Sequence, residues 1–446
     1  MHECLSVQGW IRAWGDPERE GRQLATCPVC TPFRGDLSAW LAAVERCPEC
    51  RSALEATPIE ISEVVECPTC AASFTKLHDI LDELEHFDPA VASEVLSAEE
   101  MFGKLLRLSV AEQIARVTDD IRYQQWGLSH RLLEAARDLW CDDPEQANHR
   151  ARVAVTVADL LDPETYHPLW LADLRAKARA YLANTYRILA EFREAEREFL
   201  TSEHHLRRGV GSGRCQAQVF SLKASLLIDQ ERYVEAGALL AEVEAYHRKA
   251  ENRRELARTR LKRAMVAEGR GDFVEAAEEC RRAASGLDPE LDVLLSVLAH
   301  QNAAHFLVQA DRVAEARALF DALPPAVGRT MELRRLWIEG DLLRAEGKPM
   351  LAMETYQRAR RGYRDEGCHY LMALVALQEA LTAFDMGDTT EMAAMAEEAS
   401  ILLVKAAAKH QALAVIRLLL AAIERNQVDR ALLVAVCRRV AALKPS

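Results

Sequence analysis

A helical pattern of apolar residues repeats along most of this 446-residue chain. Six segments between residues 181 and 396 align with one another, each with a first helix, a break and a second helix. Every first helix carries a small residue: Ala183, Ala224, Ala264, Ala304, Gly340 and Ala380. The second helices are expected to open near Ala195, Ala236, Ala276, Ala316, Ala352 and Met392. Self-similarity with a step of about 40 residues predicts a solenoid of stacked units.

Small residues allow two helices to approach closely, and larger side chains then fill the spaces beside them. The expected fillers are Tyr186, Phe192, Phe199, Tyr233, Phe273, Phe320 and Tyr356. Gly271, Gly347 and Gly387 mark three of the breaks between first and second helices. Because the apolar residues recur with helical spacing, the pattern predicts a mainly α fold built from helix pairs.

The small and large residues resemble those of the tetratricopeptide repeat over roughly residues 128–430. The step is longer than the usual period of about 34 residues, and is similar to that of bacterial transcription activators of the maltose-regulator type. The resemblance implies a right-handed α-α superhelix whose concave face, built from first helices, binds protein or peptide. A degenerate repeat at 128–161 precedes the six segments, and two helices at 411–443 are expected to cap the stack.

If the repeat frame of that family carries over, nine side chains line the concave face. They are Asn184, Arg187, Arg258, Gln301, His305, Arg334, Trp337, Asp341 and Arg344. Arginine and tryptophan are common anchors at protein interfaces, and several arginines could accept an acidic segment or a carboxyl terminus. The alternative is that these are ordinary solvated helix residues. The acidic N-terminal part of the same chain is another candidate occupant, which would make the protein self-inhibiting.

Three Cys-Pro-x-Cys pairs lie within the first 70 residues. The second and third pairs have the spacing C-x2-C-x16-C-x2-C, which suits tetrahedral zinc bound by four thiolates. We therefore expect Cys47, Cys50, Cys67 and Cys70 to bind one zinc ion. Residues 46–77 resemble the small zinc ribbons of bacterial amino-group carrier proteins. The chain continues beyond the ribbon, so the carriers' use of a C-terminal glutamate is not implied.

The first 45 residues are similar to the zinc-binding anti-sigma domain, whose hallmark is His-x3-Cys-x2-Cys. Cys27 and Cys30 match its cysteine pair, and Cys4 or His2 could be the upstream ligand. Gln23 stands at the histidine position, so a second zinc ion at Cys4, Cys27 and Cys30 is left open.

Two other interpretations of the cysteine pairs remain. Cys27/Cys30 could share a zinc ion with Cys47/Cys50, since sixteen residues also separate those pairs. The helical appearance of the sequence between them favours the later pairing. A redox CxxC motif is the third interpretation, but thioredoxin-type motifs need a βαβ setting, which this sequence does not indicate.

The excess negative charge is concentrated near the N-terminus. Residues 1–100 contain 19 acidic and 7 basic residues, whereas residues 101–446 contain 50 acidic and 49 basic ones. Zinc ribbons that bind nucleic acid need basic residues to neutralise phosphates. The charge therefore argues against direct nucleic-acid binding and favours a protein partner, such as a sigma factor or another basic protein.

No apolar run approaches the roughly 20 residues that span a bilayer, and the N-terminus does not read as a secretory signal. The cysteine pairs then favour metal binding in a reducing cytoplasm over a disulfide framework. No dinucleotide, zinc-protease or hydrolase motif is present, so we expect no enzyme and no membrane contact.

Residues 79–127 connect the N-terminal segments to the repeats. Within them, Ser97-x-x-Glu100 predicts a helix start.

The sequence predicts a mainly α protein with four parts: an anti-sigma-like segment (1–45), a zinc ribbon (46–78), a helical connector (79–127) and a tetratricopeptide solenoid with capping helices (128–446). The expected function is that of a cytoplasmic scaffold or regulator that captures a protein or peptide while the zinc head modulates it. The alternatives are a soluble anti-sigma-like transcription regulator and an adaptor subunit of a larger enzyme complex.

Overall fold

The computed structural model describes residues 64–66, 73–75 and 89–443, apart from short gaps at 141, 164, 167, 210–212, 289–290, 325, 327, 407 and 409. The described residues form eighteen α-helices and one two-stranded hairpin, so the prediction of a mainly α fold is confirmed. The chain divides into two compact units between Leu226 and Leu227. We call them unit 1 and unit 2.

Unit 1 contains seven of these helices. They are α1 (Pro89–Leu105), α2 (Val110–Asp119), α3 (Trp126–Asp138), α4 (Pro144–Leu160), α5 (Pro168–Ile188), α6 (Phe192–Leu206) and α7 (Gly213–Asp229), whose last residues enter unit 2. A 3₁₀ turn at Ile121–Tyr123 follows α2. The pairs α3/α4 and α5/α6 pack together, and α4 packs on α5. The degenerate repeat predicted at 128–161 is therefore a helix pair.

Unit 2 continues the same architecture with helices α8 to α18. They are α8 (Tyr233–Lys249), α9 (Arg253–Gly269), α10 (Phe273–Ser285), α11 (Val293–Gln309), α12 (Val313–Asp321), α13 (Arg329–Ala345), α14 (Pro349–Asp365), α15 (His369–Asp385), α16 (Thr389–Lys405), α17 (His410–Glu424) and α18 (Arg430–Ala442). Each helix packs on the next, and the first helices α9, α11, α13 and α15 also pack side by side. We call the surface formed by these four helices the first-helix face.

The strands β1 (Val64–Glu66) and β2 (Ser73–Thr75) pair in antiparallel fashion, with Val64 opposite Thr75 and Glu66 opposite Ser73. They lie within the segment predicted to be a zinc ribbon. The third Cys-Pro-x-Cys pair comes between them in the sequence.

The described part of the connector belongs to the core of unit 1. Phe102, Leu105 and Val117 are buried in one cluster with Trp126 and Leu128. The helix start predicted at Ser97 is wrong, because α1 begins at Pro89 and runs through that position. A capping box occurs instead at the start of α2, where Ser109 and Glu112 bond each other's backbone amides.

The predicted small residues lie where helices meet. Ala183, Ala224, Ala264, Ala304, Gly340 and Ala380 are all buried, as are the six residues expected near the starts of the second helices. Among the large fillers, Phe199, Phe320 and Tyr356 are buried, while Tyr186, Phe192, Tyr233 and Phe273 are partly buried. The alignment of the six segments therefore identified the packing positions correctly.

Each break between a first and a second helix contains one residue with left-handed backbone geometry. It lies seven positions after the small residue, and its φ is between 58° and 80° in all six breaks. These residues are Ala190, Glu231, Gly271, Asp311, Gly347 and Gly387. The amide of the next residue donates to the carbonyl five residues earlier, as from Asp272 to Ala267 at 2.9 Å. This bond is typical of a Schellman motif, which ends a helix and turns the chain.

Buried or partly buried arginines bridge carboxylates on different helices. Arg179 of α5 contacts Asp159 and Glu198 on the flanking helices. Arg263 of α9 similarly contacts Glu244 and Glu279, and Arg360 of α14 contacts Glu379 and Glu398. The packing between consecutive helices therefore combines apolar contacts with ion pairs that fix their register.

None of the helices in the described part of the chain is both long and apolar enough to cross a membrane.

Replacing Ala190 by glycine should stabilise the protein by about 0.5–1 kcal/mol, since left-handed geometry strains an alanine and not a glycine. The reverse change, Gly347→Ala, should destabilise it by about 1 kcal/mol through backbone strain alone. A Cβ at Gly347 would meet no atom within 4 Å. Chemical denaturation of the two variants measures both effects. Destabilisation by Ala190→Gly would contradict the turn geometry.

Candidate partner-binding face

Six of the nine side chains predicted to line a groove come together in unit 2. Gln301 and His305 lie on α11, and Arg334, Trp337, Asp341 and Arg344 lie on α13. Spacings of three and four residues place the α13 side chains along one stripe of the helix. Because α11 and α13 pack side by side, the two groups form one cluster on the first-helix face.

The other three predicted residues do not join this cluster. Asn184 and Arg187 lie in unit 1, where Arg187 Nε donates to Asn184 Oδ1 at 2.9 Å. Arg258 is exposed on α9 and pairs with Glu255 of the same helix. A role for these three in partner binding stays a prediction.

Asp341 is the buried centre of the cluster, with only 1% of its surface exposed. Its Oδ1 accepts a hydrogen bond of 2.6 Å from the Tyr356 hydroxyl. Its Oδ2 lies 3.4 Å from Nδ1 of His305, without the geometry of a hydrogen bond. His305 and Asp341 each directly follow the small residue of their segment, Ala304 and Gly340. Equivalent positions on adjacent first helices therefore bring the two side chains together.

Gly340 makes the contact between Asp341 and Tyr356 possible. A Cβ at position 340 would lie 2.5 Å from Cε1 of the Tyr356 ring, closer than carbon atoms in van der Waals contact. The ring therefore packs directly on the α13 backbone. Burial and the nearby Asp341 carboxylate raise the pKa of the Tyr356 hydroxyl well above its usual value. Tyr356 consequently keeps its proton and remains a donor to Asp341.

Arg344 extends the cluster toward α15. Its Nη2 donates to Gln378 Oε1 at 3.2 Å, and its Nη1 lies 3.9 Å from Asp385 Oδ2. Burial lowers the pKa of Arg344, but Tyr356 and Asp341 raise it more, so the guanidinium pKa lies above its ordinary value. Arg344 is therefore a fixed positive charge within the cluster.

Arg334 is held by a neutral partner. Its Nη2 donates to Asn302 Oδ1 at 2.6 Å, and it forms no ion pair with any residue that the structure describes. Burial lowers the pKa of its guanidinium. An arginine that is largely desolvated and lacks a carboxylate partner attracts an anion strongly.

Four buried polar atoms of the cluster lack a hydrogen-bond partner among the described residues. They are Gln301 Oε1, Arg334 Nε, Trp337 Nε1 and Asp341 Oδ2. Gln301 is anchored only through its amide nitrogen, which donates to the Met331 carbonyl at 3.2 Å. A buried polar group without a partner costs about 1–3 kcal/mol. The cluster thus offers two donors and two acceptors that a bound molecule could satisfy.

The predicted groove omitted Asn302 and Gln378, the two amides that hold Arg334 and Arg344. Both stand two residues before a small residue of the repeat, Ala304 or Ala380. This shared position was a signal in the sequence. Like His305 and Asp341, Asn302 and Gln378 occupy one position of the repeat on different first helices.

The predicted zinc ligands Cys4, Cys27, Cys30, Cys47, Cys50, Cys67 and Cys70 lie outside the described residues. Within the described part of the chain, no group of three or more His, Cys, Asp or Glu side chains is arranged to hold a metal ion. Cys280 is buried, and burial raises the pKa of its thiol to about 12.

Comparisons with known proteins add little. No family model matches the sequence, and no curated protein matches it either. Among solved structures, BtubC (BKLC) from P. vanneervenii is similar with a TM-score of 0.38 and 15% sequence identity, over 58% of this chain and 93% of that one. A likeness at that level says nothing about function.

Tyr356→Phe should destabilise the protein by about 1–3 kcal/mol, because it removes the hydrogen bond to the buried Asp341 carboxylate. Tyr363→Phe is the matched control. Tyr363 is also buried on α14, but its hydroxyl makes no hydrogen bond to a described residue, so the change should cost about 0.5 kcal/mol or less. Denaturant titration compares the two. Equal effects would contradict the central role of Asp341.

Proposed function

We propose that this chain is a non-enzymatic scaffold or regulator, and that the cluster on α11 and α13 binds a segment of a protein partner. The observation that carries the proposal is the set of buried donors and acceptors on neighbouring first helices that find no partner among the described residues. Interface hot spots are enriched in tryptophan and arginine, and both occur here. We further propose that the repeats are of the tetratricopeptide type. Binding of a protein or peptide through the first helices agrees with that assignment.

The cluster favours a partner segment that carries a carboxylate. Arg334 Nε and Trp337 Nε1 are donors three residues apart on α13, so one carboxylate could accept from both. A charge-assisted bond to Arg334 would supply the anion that the described residues do not provide. Either an acidic side chain or the C-terminal carboxylate of the partner has this chemistry.

The N-terminal part is proposed to contain a zinc ribbon. Four cysteines, Cys47, Cys50, Cys67 and Cys70, would hold the ion as thiolates. The antiparallel pairing of β1 with β2 supports the proposal, because Cys67-Pro-Thr-Cys70 lies between these strands in the sequence. A pair of zinc ligands between two short strands is the arrangement expected of a ribbon. Zinc would supply much of the folding free energy of so small a module.

Zinc analysis of the purified chain should give one ion for each chain, or two if Cys4, Cys27 and Cys30 bind a second. Cys67→Ser combined with Cys70→Ser should remove one zinc ion and leave helix content unchanged, since unit 2 has its own core. Cys280→Ser and Cys437→Ser are the matched controls, because both thiols are buried in helix packing, and they should retain the metal. Retention of full zinc by the Cys67/Cys70 variant would refute the ribbon.

The partner is identified by purifying the tagged full chain from its native host and analysing bound proteins by mass spectrometry. Arg334→Gln and Trp337→Phe should each reduce capture of the partner by at least tenfold, because each removes one donor. Arg361→Gln is the control, since Arg361 is exposed on α14 and is not among the residues predicted to bind the partner. If neither Arg334→Gln nor Trp337→Phe reduced the amount of captured partner, the proposed binding site would be refuted.

The same purification separates the narrower functions. A sigma factor that is lost when residues 1–45 are deleted would support an anti-sigma-like regulator. An enzyme assembly that is retained after this deletion would support an adaptor subunit. In the second case the zinc head would be a structural or assembly module.

A further inference from the structure

The last helix of unit 2 packs against the first-helix face instead of adding another layer beyond it. α18 contacts α15 as well as its own neighbour α17. Three contacts define its path. Arg430 donates to Asp385 at 2.7 Å, the Cys437 thiol lies 3.6 Å from the Leu377 carbonyl, and the Tyr370 hydroxyl donates to the Val440 carbonyl at 2.7 Å. Residue numbers rise along α18 as they fall along α15, so the two helices are antiparallel.

The C-terminal half of α18 reaches much earlier repeats of unit 2. Arg439 forms an ion pair with Glu231, which lies in the turn before α8. The guanidinium of Arg438 lies 4.9 Å from the centre of the Phe273 ring at the start of α10. α18 therefore crosses from α15 to the turns that open two earlier second helices.

The position of α18 brings it close to the candidate cluster. Burial raises the pKa of the Cys437 thiol to about 12, and the charges of Arg344 and Asp341 also act on it. Asp385, which accepts from Arg430, is the same carboxylate that faces Arg344. The helix thus lies over the part of the first-helix face that adjoins the partner-binding cluster.

α18 is built as a self-contained amphipathic helix. Leu433, Val436, Cys437 and Val440 are buried and follow helical spacing. Its own Asp429 caps the first turn by accepting from the Leu432 amide, and Arg438 and Arg439 favour its C-terminal end. Such a helix in a groove is a common mode of peptide recognition.

Its charged contacts are more exposed than those of Arg360. Arg430 and Arg439 are 58% and 43% exposed, and exposed ion pairs contribute little to stability. By contrast, Arg360 of α14 bonds Glu379, whose side chain is fully buried. α18 is therefore held by one apolar stripe and by polar contacts at the surface.

We propose that α18 is a resident occupant of the first-helix face, and that an amphipathic helix of the partner displaces it on binding. The partner helix would present an apolar stripe like that of α18 and place a carboxylate at Arg334. This inference rests on the proposed function, because it assigns regulation to the same face. Release of α18 adds a free-energy cost to partner binding. Modification of α18, or competition for its position, would change that cost and therefore the affinity for the partner.

The test uses the full chain and a fluorescent peptide of residues 428–443. Arg438→Glu combined with Arg439→Glu removes the stacking on Phe273 and places like charges at Glu231. Hydrogen exchange of the α18 amides should become at least tenfold faster in this variant, while exchange in α15 and α16 stays unchanged. Peptide binding, followed by fluorescence anisotropy, should become at least fivefold tighter. Arg417→Glu, at an exposed position of α17, is the control and should change neither.

A restoring variant sharpens the test. Glu231→Arg added to Arg439→Glu re-forms the ion pair with exchanged charges and should return both measurements toward those of the natural chain. Unchanged exchange of α18 in the Arg438→Glu/Arg439→Glu variant would overturn the proposal, as would faster exchange throughout unit 2. A released α18 without tighter peptide binding would also overturn it. None of these measurements depends on Arg334 or on the natural partner. Their outcome is therefore independent of whether the proposed partner-binding function is correct.

Discussion

The architecture depends on the close approach of helices at small residues. A single amphipathic helix cannot bury its apolar stripe, so each pair must pack tightly and stack on its neighbours. At Gly340 this requirement has a second consequence. The Tyr356 ring packs directly on the α13 backbone, and its hydroxyl thereby reaches Asp341 and lies 3.5 Å from Arg344 Nε. The packing position and the polar cluster are thus produced by one contact.

That contact makes the first-helix face of unit 2 chemically unusual. A helix pair normally buries apolar groups, yet here a carboxylate and a tyrosine hydroxyl are buried beside two arginines. The cluster satisfies some of these groups internally and leaves others without partners among the described residues. Since buried polar groups without partners are costly, their concentration on two adjacent helices favours a binding role over a purely structural one. α18 then lies beside this cluster on the same face, which couples access to the site with the position of one helix.

The repeat could be predicted from the sequence because each repeat imposes the same packing constraint at the same spacing. The small residues, the breaks at Gly271, Gly347 and Gly387, and the helix pairs all followed from it. The turns at Ala190 and Glu231 were harder to place, because a residue other than glycine adopts the left-handed geometry there. The Ser97 helix start was wrong because a capping pattern of two residue types is weaker than the continuous α1 helix around it.

The site was only partly predictable for a related reason. The repeat frame indicated which α11 and α13 residues share a face, so six of the predicted residues came together. It could not show that Asn302 and Gln378 hold Arg334 and Arg344, because those contacts join different helices. The path of α18 could not be predicted from the sequence either. A capping helix and a helix that packs on the first-helix face have the same amphipathic pattern, and only the contacts with Tyr370, Leu377 and Glu231 distinguish them.

The most direct test of this account is hydrogen exchange of the full chain with and without its captured partner. Exchange in α11 and α13 is expected to become slower on binding, and exchange in α18 is expected to become faster. Protection confined to helices outside the first-helix face would contradict the proposed site. Slower exchange of α18 together with α15 would show that the helix stays in place and would contradict its displacement.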